Sequence, residues 1–586
     1  MNIVRDKKLR DGQGRLRTVT DNANSMAAYD LDANGSVKGI SFSDGANIYD
    51  STSFTYDVHN NIKTETDADN NVTTFDYDQN GRITKKSNPN GTTVNSSYDG
   101  YGNLSQAILS GGPTYNYSYD LEGRTTNSSV SGGSSTQYAY DAVGNLISYI
   151  EKNAGNNTIT TIGAPDTDMY SKLDQLLGYK FTYKSHTSSP LSFIFDYTKS
   201  GLVNSITGDG KKFSFNYDEN NNPISRVNPN NTQDNLIYDE TDKIISSYTV
   251  DNSSNVKWSD KYEHDSDGRL TQVTGNGPRS LSVGYTYNNG TEKLNRLTKA
   301  VIDDGINKYT FNYSYDPAGN IKEMDVANGT AAPNHMTFNY DGDNRITNSG
   351  FSYDSNGNLT HAVIDGNTYK YEYDAANRLI KVKDVNDSII ASYTYDGDGN
   401  RLTKTVNGVV TTYHYFDGQL LYETLSTDPE NTIHALYIRS PQGALEAVSL
   451  NYVVGGTGNA YYYYHYNANG DVTAVTDNNG SIYRQYVYDP YGNVISVKDG
   501  SGNIVDINND TGFNNAYTYK GYRYDAETGL YFLNARYYAS GIGRFLTKDI
   551  VVGDLTNPQS LNSYVYALGD PVNLKDGSGL HAMPAD

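Results

Sequence analysis

Cysteine is absent from all 586 residues of the sequence. Without thiols the chain can form no disulfide framework, no thiolate zinc site and no iron–sulfur centre, and it has no cysteine nucleophile. The lack of cysteine suits an exported bacterial protein but does not establish export.

Long apolar runs are also missing. The most apolar stretches, such as residues 408–410 and 550–552, fall far short of the roughly 18 residues that a membrane-spanning helix needs. The first eight residues are polar and lack the apolar segment of a signal peptide. We therefore predict no membrane span and identify no signal peptide in this chain, as expected of a soluble protein or of one part of a larger exported chain.

Positive charge and helical patterns are scarce as well. Lysine and arginine number 46 against 68 aspartates and glutamates, so the formal net charge is −22. Such a surface repels nucleic acids and anionic lipids, and we expect no nucleic-acid partner.

Sequence patterns typical of helices are confined to two short candidates, residues 171–177 and 432–436.

Tyrosine is the residue that the sequence has in excess. It occurs 55 times, as often as glycine, and many copies stand in Tyr-Asp pairs. Five successive pairs are spaced 21 residues apart, and the same or nearly the same spacing returns further along. These pairs begin at Tyr56, Tyr77, Tyr98, Tyr119 and Tyr140, at Tyr217 and Tyr238, and at Tyr353, Tyr373 and Tyr395. A fixed period of this kind indicates an internal repeat.

Each repeat unit has the pattern of a β-hairpin. Residues 73–84 alternate polar with aromatic or aliphatic side chains, which is typical of strands. In the middle of the unit, Asp78 and Gly81 form an Asp-x-x-Gly sequence. The aspartate caps a type I turn and the glycine accepts the positive φ that follows, which makes a bulged hairpin. One repeat therefore holds two strands and two turns.

A single two-stranded hairpin is marginally stable in water, so successive hairpins must pair edge to edge into one long sheet. Such a sheet twists and curls. Only 36% of the residues are hydrophobic, and tyrosine carries a hydroxyl, so a single curved layer fits the composition better than two tightly packed sheets. The periodicity alone leaves open a propeller or a solenoid with tyrosine in its core.

The repeats resemble the YD repeats of the superfamily that contains Rhs proteins, the C subunits of insecticidal toxin complexes and the teneurins. The resemblance covers nearly the whole chain. It is most specific near the C-terminus, where the sequence resembles the Rhs-associated core domain. The segments that carry it are residues 524–538, YDAETGLYFLNARYY, residues 543–549, GRFLTKD, and residues 562–580, NSYVYALGDPVNLKDGSGL.

This resemblance implies an all-β fold in which a spiralling strip of β-hairpins closes into a large hollow shell, with a C-terminal core domain plugging one end. The implied divisions are residues 1–150 for regular YD repeats, 151–210 for degenerate repeats, 211–510 for further repeats, 511–580 for the core domain, and 581–586 for a remnant of the variable C-terminal region.

The resemblance also implies an internal aspartic protease that acts once on its own chain. By the family's pattern, the cut falls between Leu580 and His581. The catalytic pair of aspartates falls on Asp549 and Asp576, and the supporting arginine on Arg536.

Two departures from the family's pattern concern the surroundings of these residues. The closing motif is DGSGL where the family has Asp-Pro-x-Gly-Leu, and Ile550 follows Asp549 where proline is usual. The carboxylates and the leucine are kept, so the changes affect local turn geometry. From the residues alone, a role as turn residues is favoured for Asp549 and Asp576, and Arg536 is compatible with a strand position and a local ion pair.

Peptide hydrolysis by two carboxylates needs one that is ionised, to take a proton from water, and one that is protonated, to polarise the carbonyl. Two carboxylates held close together supply that difference, because both cannot ionise at once. The nine histidines include no close ligand pair, and we expect neither a metal site nor a cofactor.

The expected function is therefore a toxin-encapsulating shell of Rhs type that cuts itself after Leu580 to release a C-terminal effector. Its partners would be that effector, as enclosed cargo, and an N-terminal component that delivers or closes the shell. The expected location is outside a bacterial cell or on its surface. The alternative is a cell-surface adhesion module, similar to teneurins or wall-associated proteins, that binds glycan or protein through exposed aromatic rings without releasing a toxin.

Overall fold

Strands account for nearly all regular structure in the computed structural model, which describes residues 7–21, 25–44, 47–165, 168–184, 190–278, 280–288, 294–430, 432–456, 458–506, 515–551, 553–554, 557–580 and 582–584. Within these ranges the chain forms 49 β-strands, four short 3₁₀ turns and no α-helix. The prediction of an all-β fold is confirmed.

Twenty-nine strands form one antiparallel sheet, the first sheet, in which each strand pairs with the next strand along the chain. They are β1 (Lys7–Arg10), β2 (Leu16–Thr20), β3 (Met26–Leu31), β4 (Val37–Ser43), β5 (Ile48–Tyr56), β6 (Ile62–Thr66), β7 (Val72–Tyr77), β8 (Ile83–Ser87), β9 (Thr93–Tyr98), β10 (Leu104–Leu109), β11 (Thr114–Tyr119), β12 (Thr125–Val130), β13 (Ser135–Tyr140), β14 (Leu146–Lys152), β15 (Thr158–Gly163), β16 (Gly178–Tyr183), β17 (Leu191–Tyr197), β18 (Val203–Gly208), β19 (Lys211–Tyr217), β20 (Pro223–Val227), β21 (Gln233–Tyr238), β22 (Ile244–Val250), β23 (Val256–His264), β24 (Leu270–Asn276), β25 (Ser282–Tyr287), β26 (Leu297–Asp303), β27 (Lys308–Tyr315), β28 (Ile321–Asn328) and β29 (Asn334–Thr337).

A second antiparallel sheet continues the same meander with fourteen strands. They are β30 (Ser352–Tyr353), β31 (Leu359–Ile364), β32 (Asn367–Tyr373), β33 (Leu379–Lys383), β34 (Ile389–Tyr395), β35 (Arg401–Val406), β36 (Val409–Phe416), β37 (Gln419–Leu425), β38 (Thr432–Arg439), β39 (Leu445–Val453), β40 (Tyr461–Tyr466), β41 (Val472–Thr476), β42 (Ile482–Tyr488) and β43 (Val494–Lys498).

The remaining strands lie in residues 515–584, of which residues 515–580 are called the core segment below. A four-stranded sheet contains β44 (Arg523–Asp525), β45 (Leu530–Leu533), β46 (Arg536–Ala539) and β47 (Arg544–Phe545), and β48 (Leu574–Lys575) pairs with β49 (Met583–Pro584). The 3₁₀ turns are Tyr519–Gly521, Ser540–Ile542, Pro558–Leu561 and Ala567–Gly569.

The Asp-x-x-Gly sequences form the hairpin turns, as predicted. Between β7 and β8, the Asp78 carboxylate accepts the backbone N–H of Asn80 at 2.9 Å and that of Arg82 at 3.0 Å. Gly81 has a φ of +77°, a conformation that costs glycine little because it has no Cβ. The strand register shifts at Tyr77, which is the bulge expected of this turn.

In most Tyr-Asp pairs, the tyrosine hydroxyl bonds its strand to the strand before it; Tyr353 differs, since its hydroxyl accepts the backbone N–H of Ile346. The hydroxyl of Tyr77, at the end of β7, donates to the carbonyl oxygen of Ile62, at the start of β6, over 2.7 Å. The same bond recurs from Tyr98 to Ile83, Tyr119 to Leu104, Tyr140 to Thr125, Tyr238 to Pro223, Tyr373 to Leu359 and Tyr488 to Val472. A backbone acceptor beside each turn is thus satisfied by the next repeat.

The strip of hairpins coils, so that the second sheet lies beside the first. Hydrogen bonds and ion pairs join residues that are far apart in the chain, and their separation falls from 292 residues at the first contact to 194 at the last. The pairs include Ser25 with Pro317, Tyr115 with Tyr395, Glu151 with His414, Asp234 with His465, and Asp304 with Lys498. The last contacts span fewer residues than the first ones, so one turn of the coil uses fewer residues near its end than near its start.

Aromatic side chains fill the contact between the two turns of the coil. Residues 151–210 take part through β15–β18, which continue the first sheet. The ring of Phe181 lies 5.0 Å from that of Tyr422, and the ring of Tyr179 lies 4.8 Å from that of Phe416. The two helical candidates in this part of the fold are wrong: residues 171–177 form a turn, and residues 432–436 lie in β38, where the chain is paired with β39.

The core segment packs against both sheets. Tyr531, Tyr538 and Leu546 belong to one large cluster of buried apolar residues that also contains Phe311 of the first sheet and Tyr393 of the second. Buried ion pairs connect the core segment to the second sheet, since Arg401 Nη1 lies 2.5 Å from Asp525 Oδ2 and Arg523 Nη1 lies 2.6 Å from Glu423 Oε1. The core segment is therefore packed against the coil through buried apolar side chains and ion pairs.

Candidate active site

Arg536 is the first residue of β46, and its side chain is only 5% exposed. Its guanidinium stacks on the ring of Phe545, with 3.7 Å between the guanidinium carbon and the ring centroid. Burial lowers the pKa of Arg536 to about 10, and the nearby carboxylates of Asp549 and Asp576 act against that fall. The guanidinium therefore stays positively charged at neutral pH.

Arg536 brings the two predicted aspartates together. Its Nη2 lies 2.7 Å from Asp549 Oδ2 and 3.6 Å from Asp576 Oδ2. Its Nη1 donates to the carbonyl oxygen of Ser563 over 2.7 Å, and its Nε donates to the carbonyl oxygen of Gly579. Two carboxylates and two backbone carbonyls from separate stretches of the core segment thus meet around the guanidinium of Arg536.

Asp549 lies in the loop that follows β47. Its backbone N–H donates to the carbonyl oxygen of Ser563 over 3.1 Å, and its Oδ1 accepts the N–H of Val551 at 2.9 Å. The carboxylate borders a cavity of about 240 Å³ that is also lined by Asp67 and Lys548. A polar cavity of this size can hold several water molecules. Asp549 is therefore placed where water can reach it.

Asp576 occupies a turn of the same kind as the repeat turns. Its Oδ1 accepts the N–H of Leu580 at 3.0 Å, four residues ahead, and the hydroxyl of Ser578 at 3.3 Å. Gly579, at the position of the repeat glycine, has a φ of +72°. The closing motif is thus an Asp-x-x-Gly turn whose aspartate also faces Arg536.

One contact distinguishes this turn from the repeat turns. In the repeat turn, the backbone N–H of Asp78 donates to the carbonyl oxygen of Arg82. In the closing turn, the backbone N–H of Asp576 donates to the hydroxyl oxygen of Tyr522 over 2.8 Å. Sequence reasoning missed Tyr522, because a single tyrosine among 55 carries no signal of its own.

Leu580, the predicted residue before the cut, lies between β48 and β49 in the chain. These two strands pair through Lys575 and Met583. Leu580 is half-buried and borders a cavity of about 430 Å³ that Phe532, Arg536 and Leu546 also line. His581, the predicted residue on the other side of the bond, lies outside the described residues.

Two other carboxylates of the core segment have different surroundings. Asp525 is bound by Arg401 at 2.5 Å and by Lys404 at 3.1 Å, which hold its pKa well below the usual range although burial acts in the opposite direction. Asp570 accepts hydrogen bonds from Asn573 at 2.9 and 3.0 Å, and burial raises its pKa to about 6. Neither contacts Arg536 among the described contacts.

Among the described residues, no group of three or more histidine, aspartate or glutamate side chains is arranged to hold a metal ion. No helix in the described part of the chain is long and apolar enough to span a membrane.

Two family profiles match the repeats. The profile described as RHS Repeat matches residues 53–93 and 466–504, and that described as Teneurin YD-shell matches residues 292–427. The chain is a YD-repeat protein of the Rhs family.

Curated relatives of this Rhs-family chain include WapA proteins from Bacillus. The tRNA3(Ser)-specific nuclease WapA of Bacillus spizizenii is 32% identical over 415 residues, and the tRNA nuclease WapA of Bacillus subtilis strain 168 is 31% identical over 414 residues. Each match covers 70% of the chain but 15% of the relative. The Rhs-family chain therefore spans about 15% of the length of these nucleases.

Solved structures share the fold over almost the whole chain. The TcdB2-TccC3 crystal structure gives a TM-score of 0.54 at 17% identity, covering 98% of this chain and 34% of that one. The Tc holotoxin pore of Photorhabdus luminescens gives the same TM-score and identity, covering 99% of this chain and 33% of that one. At such identities the likeness concerns the fold alone.

Proposed function

We propose that this YD-repeat chain is the shell of an Rhs-type toxin and that it cuts itself once, between Leu580 and His581. The observation that carries the proposal is the position of Arg536. It contacts Asp549, Asp576 and the carbonyl of Gly579, which directly precedes the leucine. A turn-capping aspartate needs no such shared cation, since Asp78 is satisfied by partners within its own turn.

The proposed roles of the two aspartates follow from their distances to Arg536. The closer carboxylate, Asp549, is favoured in its ionised form by the opposite charge and acts as the base. Asp576 is farther from the guanidinium and 4% exposed, and it acts as the acid.

In the proposed reaction, a water molecule attacks the carbonyl carbon of Leu580. Asp549 takes a proton from the water while Asp576 gives its proton to the carbonyl oxygen. The C–N bond of the resulting tetrahedral intermediate then breaks, the proton held by Asp549 goes to the departing nitrogen of His581, and one hydroxyl of the intermediate returns its proton to Asp576. The products are a carboxylate at Leu580 and a new amino terminus at residue 581.

The turn around Asp576 aligns the bond before reaction. Leu580 donates its N–H to Asp576, and the preceding carbonyl accepts from Arg536, so the peptide group before Leu580 is held at both its N–H and its carbonyl. Connection through the same chain replaces substrate binding, and such positioning provides a large effective concentration.

A hollow interior for cargo is supported by the molecule's surface area. The accessible surface is 26065 Å². A compact protein of 64.5 kDa has about 20,000 Å² by the usual scaling with mass. The excess of surface area fits a thin coiled wall.

We propose that the wall encloses a C-terminal effector beyond residue 580, in keeping with the nuclease names of the WapA relatives. We propose also that an N-terminal component delivers or closes the shell outside the cell.

The match to the teneurin YD-shell favours one alternative, a cell-surface adhesion module that does not cut itself. Self-cleavage separates the two functions. We expect intact mass to show that the wild-type chain has lost residues 581–586 and that Asp549→Asn and Asp576→Asn each keep them.

Asp499→Asn is the matched control, because Asp499 caps an exposed repeat turn through Asn503 and is remote in sequence from the site. This control variant is expected to be cut like the wild type. A wild-type chain that keeps residues 581–586 would refute the protease and favour the adhesion module.

A further inference from the structure

The residue before Asp549 makes contacts on both turns of the coil. The ammonium group of Lys548 lies 3.3 Å from Asp67 Oδ2 and 3.9 Å from Asp343 Oδ1. Asp67 belongs to the hairpin turn between β6 and β7, and Asp343 to the loop between β29 and β30. Lys548 thus joins the core segment to two parts of the wall that are separated by more than half of the first sheet.

The two wall segments also bind each other directly. The backbone N–H of Ala68 donates to Asp343 Oδ1 over 3.1 Å. Arg345 pairs with Asp341 at 2.9 Å within its own loop, and it also pairs with Asp69 of the β6–β7 turn. The place where this turn meets the loop around Asp343 is called the junction below. The loop around Asp343 reaches the β6–β7 turn only when the strip has completed one turn of the coil. The pair of carboxylates that binds Lys548 is therefore assembled by coiling.

The junction is acidic, and Lys548 supplies positive charge to it. Asp50, from β5, lines the same cavity as Asp67 and Lys548. Burial raises the pKa of Asp50 to about 7 and that of Asp343 to about 6, and in both cases the nearby Lys548 acts against the rise. Removing this cation leaves carboxylates crowded in a partly buried space.

The stem of Lys548 is confined as well. At Gly357, in the turn between β30 and β31, an added Cβ would lie 2.7 Å from Lys548 Cε. The carbonyl oxygen of the same glycine accepts a hydrogen bond from the hydroxyl of Tyr564 over 2.6 Å. The lysine side chain therefore passes through a close-packed opening to reach the junction.

We propose that Lys548 is a positioning residue that makes cleavage depend on closure of the first turn of the coil onto the second. The proposal rests on the self-cleavage proposed above. One peptide bond separates Lys548 from Asp549, so the ion pairs of Lys548 fix the backbone that places the Asp549 carboxylate beside Arg536. Before closure, Asp67 and Asp343 are apart, the lysine has no fixed partner, and the base is not held in place.

This arrangement gives an order of events. The wall coils, the junction forms, Lys548 docks, and the bond after Leu580 is cut last. A chain whose wall is incomplete would keep its C-terminal region attached.

The test is the rate at which residues 581–586 are lost during cell-free synthesis of the full chain, followed by intact mass. We expect Lys548→Met, which keeps the stem and loses the charge, to slow cleavage by at least about tenfold, because a small misplacement of a reacting group has effects of this size. Lys548→Arg should stay within about threefold of the wild type. Asp67→Asn combined with Asp343→Asn should be slow like Lys548→Met.

Lys370→Met is the matched control, because Lys370 pairs with Asp387 at 2.7 Å within the second sheet and does not contact the core segment in the described contacts. It should be cut at the wild-type rate. The exchange of Lys548→Asp with Asp67→Lys tests the contact itself, and recovery of at least part of the rate is expected. Resistance of each purified variant to limited proteolysis reports whether the wall has folded.

The outcomes separate the two proposals. A wild-type chain that is never cut refutes the self-cleavage. A cut wild type with a folded Lys548→Met that is cut equally fast refutes the role of Lys548 alone. If Lys548→Met does not fold, the exchange variant decides: a folded exchange variant that is cut supports the proposal, and one that stays uncut, or that fails to fold, overturns it.

Discussion

Single side chains in this protein act mainly by holding backbone groups at turns. The repeat aspartates accept N–H groups within their own turns, and Asp576 does the same for Leu580. What changes an Asp-x-x-Gly turn into a candidate active site is one buried cation, Arg536, and one hydroxyl, that of Tyr522. The chemistry is thus proposed to have been added to a structural turn that the chain uses many times.

Gly579 gives a test at this scale that leaves every reacting group in place. A Cβ at this position would lie 2.6 Å from the carbonyl oxygen of Leu533 and 3.1 Å from the backbone nitrogen of Arg536, and its φ of +72° is strained for other residues. We expect Gly579→Ala to slow loss of residues 581–586 by at least about tenfold, measured by intact mass over time.

The control is Gly577→Ala in the same turn. Its added Cβ would have 4.0 Å to the nearest atom, in the ring of Tyr522, so this variant should be cut at the wild-type rate. Equal rates for the two alanine variants would show that the shape of the turn does not matter for cleavage.

Among the elements, the hairpin is the unit of stability, and the tyrosine hydroxyl stabilises it by a hydrogen bond to the preceding strand. A hairpin of this kind exposes turn carbonyls that the strand ladder leaves unpaired, and the next repeat supplies the donor. Arginines at the turns add to the effect, since Arg82 lies 4.4 Å from the ring of Tyr98 and Arg269 lies 4.9 Å from that of Tyr287. Each repeat is therefore tied to its neighbour by side chains as well as by strand pairing.

The contribution of the hydroxyl can be measured at Tyr77. Tyr77→Phe removes the bond to Ile62, and a hydrogen bond of this kind contributes about 0.5–1.5 kcal/mol. We expect hydrogen exchange of the β6 and β7 amides to become roughly two- to tenfold faster. Tyr101→Phe, whose tyrosine is 79% exposed at a turn, serves as the control and should leave exchange unchanged. Equal exchange in both variants would mean that the hydroxyl adds nothing to the hairpin.

These local features are the part of the structure that could be predicted from the sequence. The period of 21 residues and the spacing of Asp78 and Gly81 are short-range signals, so the strands, the turns and the bulges followed from them. The three charged residues of the site were found through the resemblance of the C-terminal motifs, because almost every turn has an aspartate and composition cannot single one out. The contact of Lys548 with Asp67 spans 481 residues, and no local pattern marks it.

On the scale of the whole molecule, the coil brings carboxylates together at its junctions, and stability should respond to pH. Burial raises the pKa of Asp50 to about 7, above the ordinary value of 3.8 that it regains on unfolding. A carboxyl group with a raised pKa in the folded state contributes stability that is lost as the pH rises through about 7. The thermal midpoint should therefore rise when the pH is lowered from about 8 to about 6.

Asp50→Asn removes this titration and should weaken the pH dependence. Asp499→Asn is the control, because hydrogen bonds from Asn503 lower the pKa of Asp499, whose contribution is constant between these two pH values. Thermal scans at both pH values compare the variants. An unchanged pH dependence in Asp50→Asn would show that the junction does not titrate as described.

The proposed hollow interior can be tested by a measurement of molecular size. A compact chain of 586 residues has a radius of gyration of about 25 Å by the usual scaling. A thin coiled wall places its mass farther from the centre, so we expect small-angle X-ray scattering of the monomer to give a value clearly above that. A value near 25 Å would contradict a shell with room for cargo.

Self-cleavage after Leu580 is the step on which the proposed function depends. The most direct measurement is the C-terminal peptide of the purified wild-type protein, identified by mass spectrometry after digestion. The account predicts a peptide that ends in Leu580 with a free carboxylate. A peptide that continues through His581 to Asp586 in folded protein would contradict it.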